Sequence, residues 1–315
     1  MFQRIREAVD RGTRFLIATH VDPDGDALGS AFALCFGLRG IGKAASVYMK
    51  DDVPYRYSFL PRPDMILREI PKAGYDVVIV VDCGDLARVG QGHELLRALG
   101  YLISVDHHDT NDAFGQINIL DQRASSSAEI LYLILKALDV PFTYEIAVNL
   151  YTAILTDTGG FRYESTTPRA FRICEEMTEH GVLPSRVAGE VYESHPKERY
   201  ALLCQVLGTL EYFLDDRIAT AYVTREMFER TGTSREYVDG FVELIKEIRG
   251  IEVACVLREV GDGRFKISMR SKGGYDVAAV ARRFGGGGHH KAAGCTVEGA
   301  TVDDVKNKLV EAFPS

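Results

Sequence analysis

Residues 15–40 read FLIATHVDPDGDALGSAFALCFGLRG. A short strand-like run, FLIAT (15–19), gives way to a loop rich in Asp and Gly, and the loop opens into ALGSAFALCFGLRG (27–40), a helical pattern stopped by glycine. The same grammar repeats downstream. ASVYM (45–49), DVVIVV (76–81) and YLISV (101–105) read as strands, and HELLRAL (93–99) carries apolar residues at helical spacing. Alternation of this kind predicts an α/β fold: a doubly wound parallel sheet covered by helices.

Further on, SSSAEILYLILKAL (125–138) begins with a serine N-cap and Glu129 in the first turn. EIAVNLYTAILTDTGG (145–160) follows as a second, mostly apolar helix, and both are expected to pack on the sheet. After PRAFRICEEMTEHGV (168–182) the chain becomes more polar, and SHPKERYALLCQVLGTL (194–210) reads as a connecting helix started after Pro196. The expected organisation is a first domain over 1–186, a linking helix over 187–208 and a smaller α+β domain over 209–315. The last part holds IATAYV (218–223), the helical REYVDGFVELIKEI (235–248), a hairpin of IEVACVLREV and RFKISMRS around GDG (261–263), and a final helix TVDDVKNKLVEAF (301–313).

A length of 315 residues suits two cores, and 46% hydrophobic with 26% charged residues is the balance of a soluble globular protein. The net charge of −8 is opposite to the footprint of proteins that grip long nucleic acid, so any nucleic-acid ligand is expected to be short. The six cysteines are scattered, form no CxxC pair and read as reduced packing residues. No signal-peptide h-region or run of 18 apolar residues is present, which points to a cytoplasmic protein without a membrane partner.

Four apolar elements end in groups that carry chemistry. His20, Asp24 and Asp26 follow the first strand, Asp82 follows VVIVV, Asp106-His107-His108 follows YLISV, and Asp157 ends the apolar helix before TGG. The carboxyl edge of a doubly wound sheet is where such folds bind ligands. Each group has a plainer reading: an Asp-rich N-capping turn, a capped turn at Asp82, solvated loop histidines. Taken together, the carboxylates and imidazoles supply enough donors for two divalent ions that share a bridge. Near the other end, Arg270 and Ser271 in SMRSKGG and the run Gly285 to Gly288 before His289 offer a cation and a backbone able to approach a phosphate closely. A flexible hinge is the alternative reading of that glycine run.

HVDPDGDALGS, DCGD, DHH and TDTGGF occur in an order and spacing that resemble the DHH phosphoesterase superfamily. RSKGGYDVAAVARRFGGGGHHKAAG resembles the DHH-associated domain of the branch containing nano-RNases and 3′-phosphoadenosine-5′-phosphate (pAp) phosphatases. The resemblance covers nearly the whole chain. It implies two Mn2+ ions, with Mg2+ or Co2+ as substitutes, one held by His20, Asp24 and Asp82 and the other by Asp26, Asp82, His107 and Asp157. It further implies that Asp106 supports the histidines, that His108 faces substrate phosphate, and that Arg270, Ser271, Gly286, Gly287, Gly288 and His289 bind substrate across a cleft between the domains.

The implied activity is hydrolysis of short oligoribonucleotides to mononucleotides, and of pAp to AMP, by water activated between two ions. Phosphodiesterase action on linear or cyclic dinucleotides is the alternative within this class, and a catalytically silent nucleotide sensor is the alternative outside it. A sensor is expected to lack ligands, and none of the six is missing. Inorganic pyrophosphatase activity is disfavoured by the glycine-rich ending. A homodimer is compatible with all of these readings.

Overall fold

The computed structural model describes residues 2–314. The chain divides into two compact units, residues 1–194 and 195–315. In the first unit the strands are β1 (Arg14–Ala18), β2 (Ala44–Tyr48), β3 (Ile66–Leu67), β4 (Val77–Val81), β5 (Tyr101–Asp106) and β6 (Ile117–Leu120). They form one sheet in the order β3-β2-β1-β4-β5-β6, with every pairing parallel. The chain builds outward from β1 in one direction and from β4 in the other. The loops after β1 and β4 therefore leave the carboxyl edge at a topological switch point, the place where open α/β sheets form crevices.

The helices of this unit are α1 (Phe2–Arg11), α2 (Gly25–Gly40), α3 (Leu96–Leu99), α4 (Ser127–Ala137), α5 (Tyr144–Asp157), α6 (Pro168–Glu179) and α7 (Pro184–Ala188). Successive β4 residues serve opposite faces. Val77, Ile79 and Val81 join Phe15, Leu34 and Ile134 in one core, whereas Val78 and Val80 join Leu16, Leu96 and Leu102 in another. That is why VVIVV is apolar without alternation.

The expected strands of this unit fall within one residue of the observed ones, apart from the edge strands β3 and β6, which are too short to leave a pattern. HELLRAL forms only a 3-10 turn (His93–Leu95) and the single turn α3, bracketed by Gly92 and Gly100. The expectation that α5 packs on the sheet needs correction, because α5 packs chiefly against α2, which itself lies on the sheet. Glycines make that close approach. A Cβ on Gly29 would lie 2.3 Å from the Asn149 carbonyl oxygen, and one on Gly25 would lie 2.3 Å from Thr156 Oγ1. Gly25 is therefore required by helix packing.

The second unit contains α8 (Lys197–Leu207), β7 (Glu211–Phe213), β8 (Ile218–Val223), α9 (Arg225–Thr231), α10 (Phe241–Lys246), β9 (Val253–Gly261), β10 (Arg264–Ser271), α11 (Val277–Arg282), β11 (Gly287–His289), β12 (Ala292–Glu298) and α12 (Val302–Glu311). Its mixed sheet runs β11-β12-β10-β9-β8-β7, parallel only between β8 and β9. The β9–β10 hairpin turns through Gly261, Asp262 and Gly263, all at positive φ, as GDG led us to expect. The helix expected over 235–248 is broken by Gly240 (φ 82°) into a 3-10 turn and α10. Five of the cysteines are buried and unpaired, and Cys204, also unpaired, is exposed. The packing role expected of all six therefore holds for five.

Candidate metal centre

The three donors after β1 are placed by the start of α2. Asp24 is the helix N-cap, its Oδ1 accepting from the Ala27 amide at 3.0 Å, and Asp26 lies in the first turn. His20 donates from Nδ1 to the Val21 carbonyl at 2.8 Å, which turns Nε2 toward Asp82 Oδ2 at 3.6 Å. Asp82 follows β4 at φ 54°, a left-handed conformation that Asp tolerates better than most residues and one that clusters at functional sites. His107 follows β5, its Nδ1 3.3 Å from the Ala124 carbonyl. Its Nε2 lies 3.3 Å from Asp157 Oδ2, 3.8 Å from Asp82 Oδ1 and 4.0 Å from Asp26 Oδ2. In both histidines a backbone carbonyl holds one nitrogen and sets the other toward carboxylates, the arrangement of metal-binding imidazole.

The compact donor groups include His20–Asp24–Asp82, Asp26–Asp82–His107 and Asp82–Asp106–His108, and Asp82 belongs to all three. Asp157 adjoins the second through His107. The donor chemistry fits divalent cations. Burial, with Asp82, Asp157 and Asp24 nearby, pushes Asp26 well above the usual carboxylate range, against the Ser127 amide that opposes it. Burial likewise raises Asp157 to about 7, opposed by His107 and reinforced by Asp82 and Asp24. Burial also acts to raise Asp82, but the imidazoles of His20, His108 and His107 outweigh it and hold that carboxyl below its ordinary value. Crowded carboxylates of this kind need compensating positive charge, and this cluster can bind metal ions.

Asp106 and His108 form a different pair. Asp106 Oδ1 accepts from His108 Nδ1 at 2.7 Å and from the His107 amide at 2.9 Å, and its Oδ2 accepts from Asn111 Nδ2 at 2.7 Å. Burial works against charge on His108, but the bond to Asp106 and the charges of Asp82 and Asp106 raise it to about 9. The bond to Asp106 therefore favours the protonated imidazole at His108.

Sequence reading missed the support beneath these residues. The Ser127 and Ala128 amides at the start of α4 donate to Asp26 at 2.6 and 3.0 Å, and Ser127 Oγ donates to Asp82 Oδ1 at 3.0 Å. The signal was the triple serine 125–127. It was assigned only to capping, which Ser126 does perform through the Glu129 amide at 3.3 Å.

In the second unit, Arg270 Nε donates to Glu243 Oε1 at 2.8 Å, and Ser271 is buried with its hydroxyl 3.4 Å from the Gly273 carbonyl. The glycine run is built into the fold rather than being a hinge. Gly287–His289 pairs with β12, and a Cβ on Gly286 would lie 2.2 Å from the Gly294 carbonyl oxygen, whereas one on Gly287 would meet open space. Among the described residues, no helix is long and apolar enough to cross a membrane.

Fold and site together define a doubly wound α/β protein with a cluster of carboxylates and imidazoles able to hold metal ions. The chain belongs to the DHH phosphoesterases: residues 14–154 match the DHH family, N-terminal domain, and residues 215–314 match the DHHA1 domain. It is 35% identical to the bifunctional oligoribonuclease and PAP phosphatase NrnA of Thermus thermophilus, across 94% of this chain and 88% of that one. Identity to the protein of the same name from Bacillus subtilis is 25%, across 90% and 88%. Among solved structures, an exopolyphosphatase-related protein from Bacteroides fragilis superposes with a TM-score of 0.88 at 27% identity, covering 98% of this chain and 95% of that one.

Proposed function

We propose that this phosphoesterase hydrolyses short oligoribonucleotides to mononucleotides and removes the 3′-phosphate of pAp, with two Mn2+ ions as cofactor. The observation that carries the metal reading is the sharing of Asp82 between donor groups at the switch point. His20, Asp24 and Asp82 would hold one ion, and Asp26, Asp82, His107 and Asp157 the other. Bound there, the ions supply Lewis acidity toward phosphoryl oxygen and lower the pKa of water. His108, whose protonated form is favoured by Asp106, would stabilise developing phosphate charge, an effect strongest where water is excluded. Asp106 keeps that imidazole in register through Oδ1.

Substrate preference follows from the names of the two NrnA relatives, which describe oligoribonuclease and PAP phosphatase activities. Anchoring of the nucleotide is assigned to Arg270, His289 and the exposed backbone at Gly287, with Gly286 and Gly288 shaping the strand beside them. Ser271, with its side chain buried and its amide donating to the Lys291 carbonyl at 2.9 Å, supports the strand that carries Arg270.

The decisive experiment compares turnover of RNAs of two to about ten nucleotides, pAp, pApA and a cyclic dinucleotide, each with Mn2+ and with chelator. Fast Mn2+-dependent cleavage of the shortest RNAs and of pAp supports the reading, and a faster rate on cyclic dinucleotide than on either overturns it. In the same assay Arg270→Ala is expected to raise KM for short RNA by about 10- to 100-fold, the loss of a charge-assisted contact of ~1.5–3 kcal/mol. Its metal content should not change. Because Arg270 faces Glu243, the double variant with Glu243→Gln separates lost substrate contact from an uncompensated carboxylate.

A further inference from the structure

The stretch from the end of β6 into the first turn of α4 touches three of the proposed ligands. The Ser127 and Ala128 amides donate to Asp26, Ser127 Oγ donates to Asp82, and the Ala124 carbonyl lies 3.3 Å from His107 Nδ1. Beyond β6 the Asp121 amide still donates to the Asp106 carbonyl of β5 at 3.2 Å. The far side of the stretch is pinned by a buried carboxylate. Glu129 is 0% exposed, and its Oε2 accepts from the Ser125 amide at 2.7 Å and the Ser125 hydroxyl at 2.6 Å. Thr167 Oγ1 lies 3.1 and 3.2 Å from the two carboxylate oxygens, and Arg169 Nε donates to Oε1. Arg169 also donates from Nη2 to Asp121 Oδ2 at 2.9 Å. One guanidinium therefore ties the beginning of the segment, at Asp121, to its end, at Glu129. Thr167 and Arg169 stand at the start of α6, where Thr167 is the N-cap.

We propose that Glu129 and Arg169 are positioning residues for the metal centre, holding residues 121–128 so that their amides, hydroxyl and carbonyl aim Asp26, Asp82 and His107 at the ions. Glu129 is buried but the Arg169 guanidinium is 34% exposed, so solvent screens part of the attraction and the pair adds little to stability by charge alone. What it supplies is direction. An apolar pair fills the same space but bonds neither Ser125 nor Asp121, and the loop that orients three ligands then loses its register. Groups of this kind act on affinity through the ligands they orient. The inference rests on the metal reading given under the proposed function.

Calorimetric titration of the full chain with Mn2+ alone tests it, using wild type, Arg169→Met, the isosteric Glu129→Gln, and Leu131→Ala as control. Leu131 is on the same helix, is fully buried in the core and has an apolar side chain that cannot hydrogen-bond the ligands, so its variant reports general destabilisation. Arg169→Met and Glu129→Gln are expected to weaken Mn2+ binding by about 10- to 100-fold, while Leu131→Ala keeps wild-type affinity despite a lower Tm. If Arg169→Met does not fold, Glu129→Gln carries the comparison by itself. Wild-type affinity in the folded variants overturns the proposal, as does a loss in Leu131→Ala that matches theirs. A wild-type chain that takes up no Mn2+ overturns the metal reading itself, a result distinct from wild-type binding that the variants share.

Discussion

Asp82 sits in a left-handed backbone conformation, accepts from Ser127, and belongs to all three donor groups. Replacing it by alanine would confuse two effects, because alanine tolerates positive φ poorly, whereas asparagine keeps both shape and conformation. Asp82→Asn is expected to lower kcat by at least about 100-fold at saturating Mn2+ and to lower Tm in chelator near neutral pH, because the charge that pairs with His20, His107 and His108 is lost. Retention of a tenth of wild-type turnover would remove Asp82 from its bridging role. The adjacent histidines give a sharper contrast. His107 turns Nε2 into the carboxylates, whereas His108 donates to Asp106, so His107→Ala should lose bound metal and His108→Ala should lose rate alone. Metal content of both purified variants decides it, and equal losses would contradict the division. His20, Asp24, Asp26, Asp82, Asp106, His107, His108 and Asp157 could be singled out from the sequence because each lies in the loop after an apolar element or at its end, and the structure brings them into one cluster. The residues behind them could not be, because serine and glutamate at a helix start satisfy a capping pattern completely and leave no remainder to explain.

Among the elements, α2 and α5 decide whether the centre can form, since Asp26 opens one helix and Asp157 closes the other. Gly29 lets them meet, and the space for its missing side chain is already taken by the Asn149 carbonyl and Ala153. Gly29→Ala forces the helices apart and is expected to cost about 1–3 kcal/mol, with metal affinity falling as Asp157 moves off the site. Gly40→Ala, in the last turn of the same helix with nothing within 4 Å of the added Cβ, is the control and should be neutral or slightly stabilising. Chemical denaturation of the pair checks this, and equal stability would show that α2 and α5 accommodate the methyl. This helix contact explains a limit of sequence reading. Periodicity announces that an element is apolar but not which neighbour covers it, so α5 was assigned to the sheet when it lies on α2. Length set another limit: β3, β7 and β11 have only two or three residues, too few for any period to show. The glycine run was open between hinge and binding loop because composition does not reveal that Gly286 and Gly288 are crowded by β12.

For the whole molecule, the centre makes stability depend on pH in a way that metal should reverse. Folding raises His108 from 6.5 to about 9, so its contribution is fully present below pH 6.5 and is lost as pH rises through about 9. Folding raises Asp157 from 3.8 to about 7, so the folded state holds a proton the unfolded chain has released, and stability falls as pH climbs across that interval. Asp82, held below its ordinary value, works in the opposite sense and contributes stability above about pH 4 that is lost on acidification. In chelator the Tm should therefore decline from about pH 5.5 to about pH 9. Divalent ions bind the deprotonated ligands of the folded state alone and add stability that grows with ligand concentration over Kd. The increase in Tm on adding Mn2+ should accordingly be larger at about pH 8.5 than at about pH 5.5. Circular dichroism is the suitable monitor, because the chain contains no tryptophan. A chelated Tm that stays level across this range, or an Mn2+ shift independent of pH, would show that the carboxylate–imidazole cluster does not carry its charge as the geometry requires.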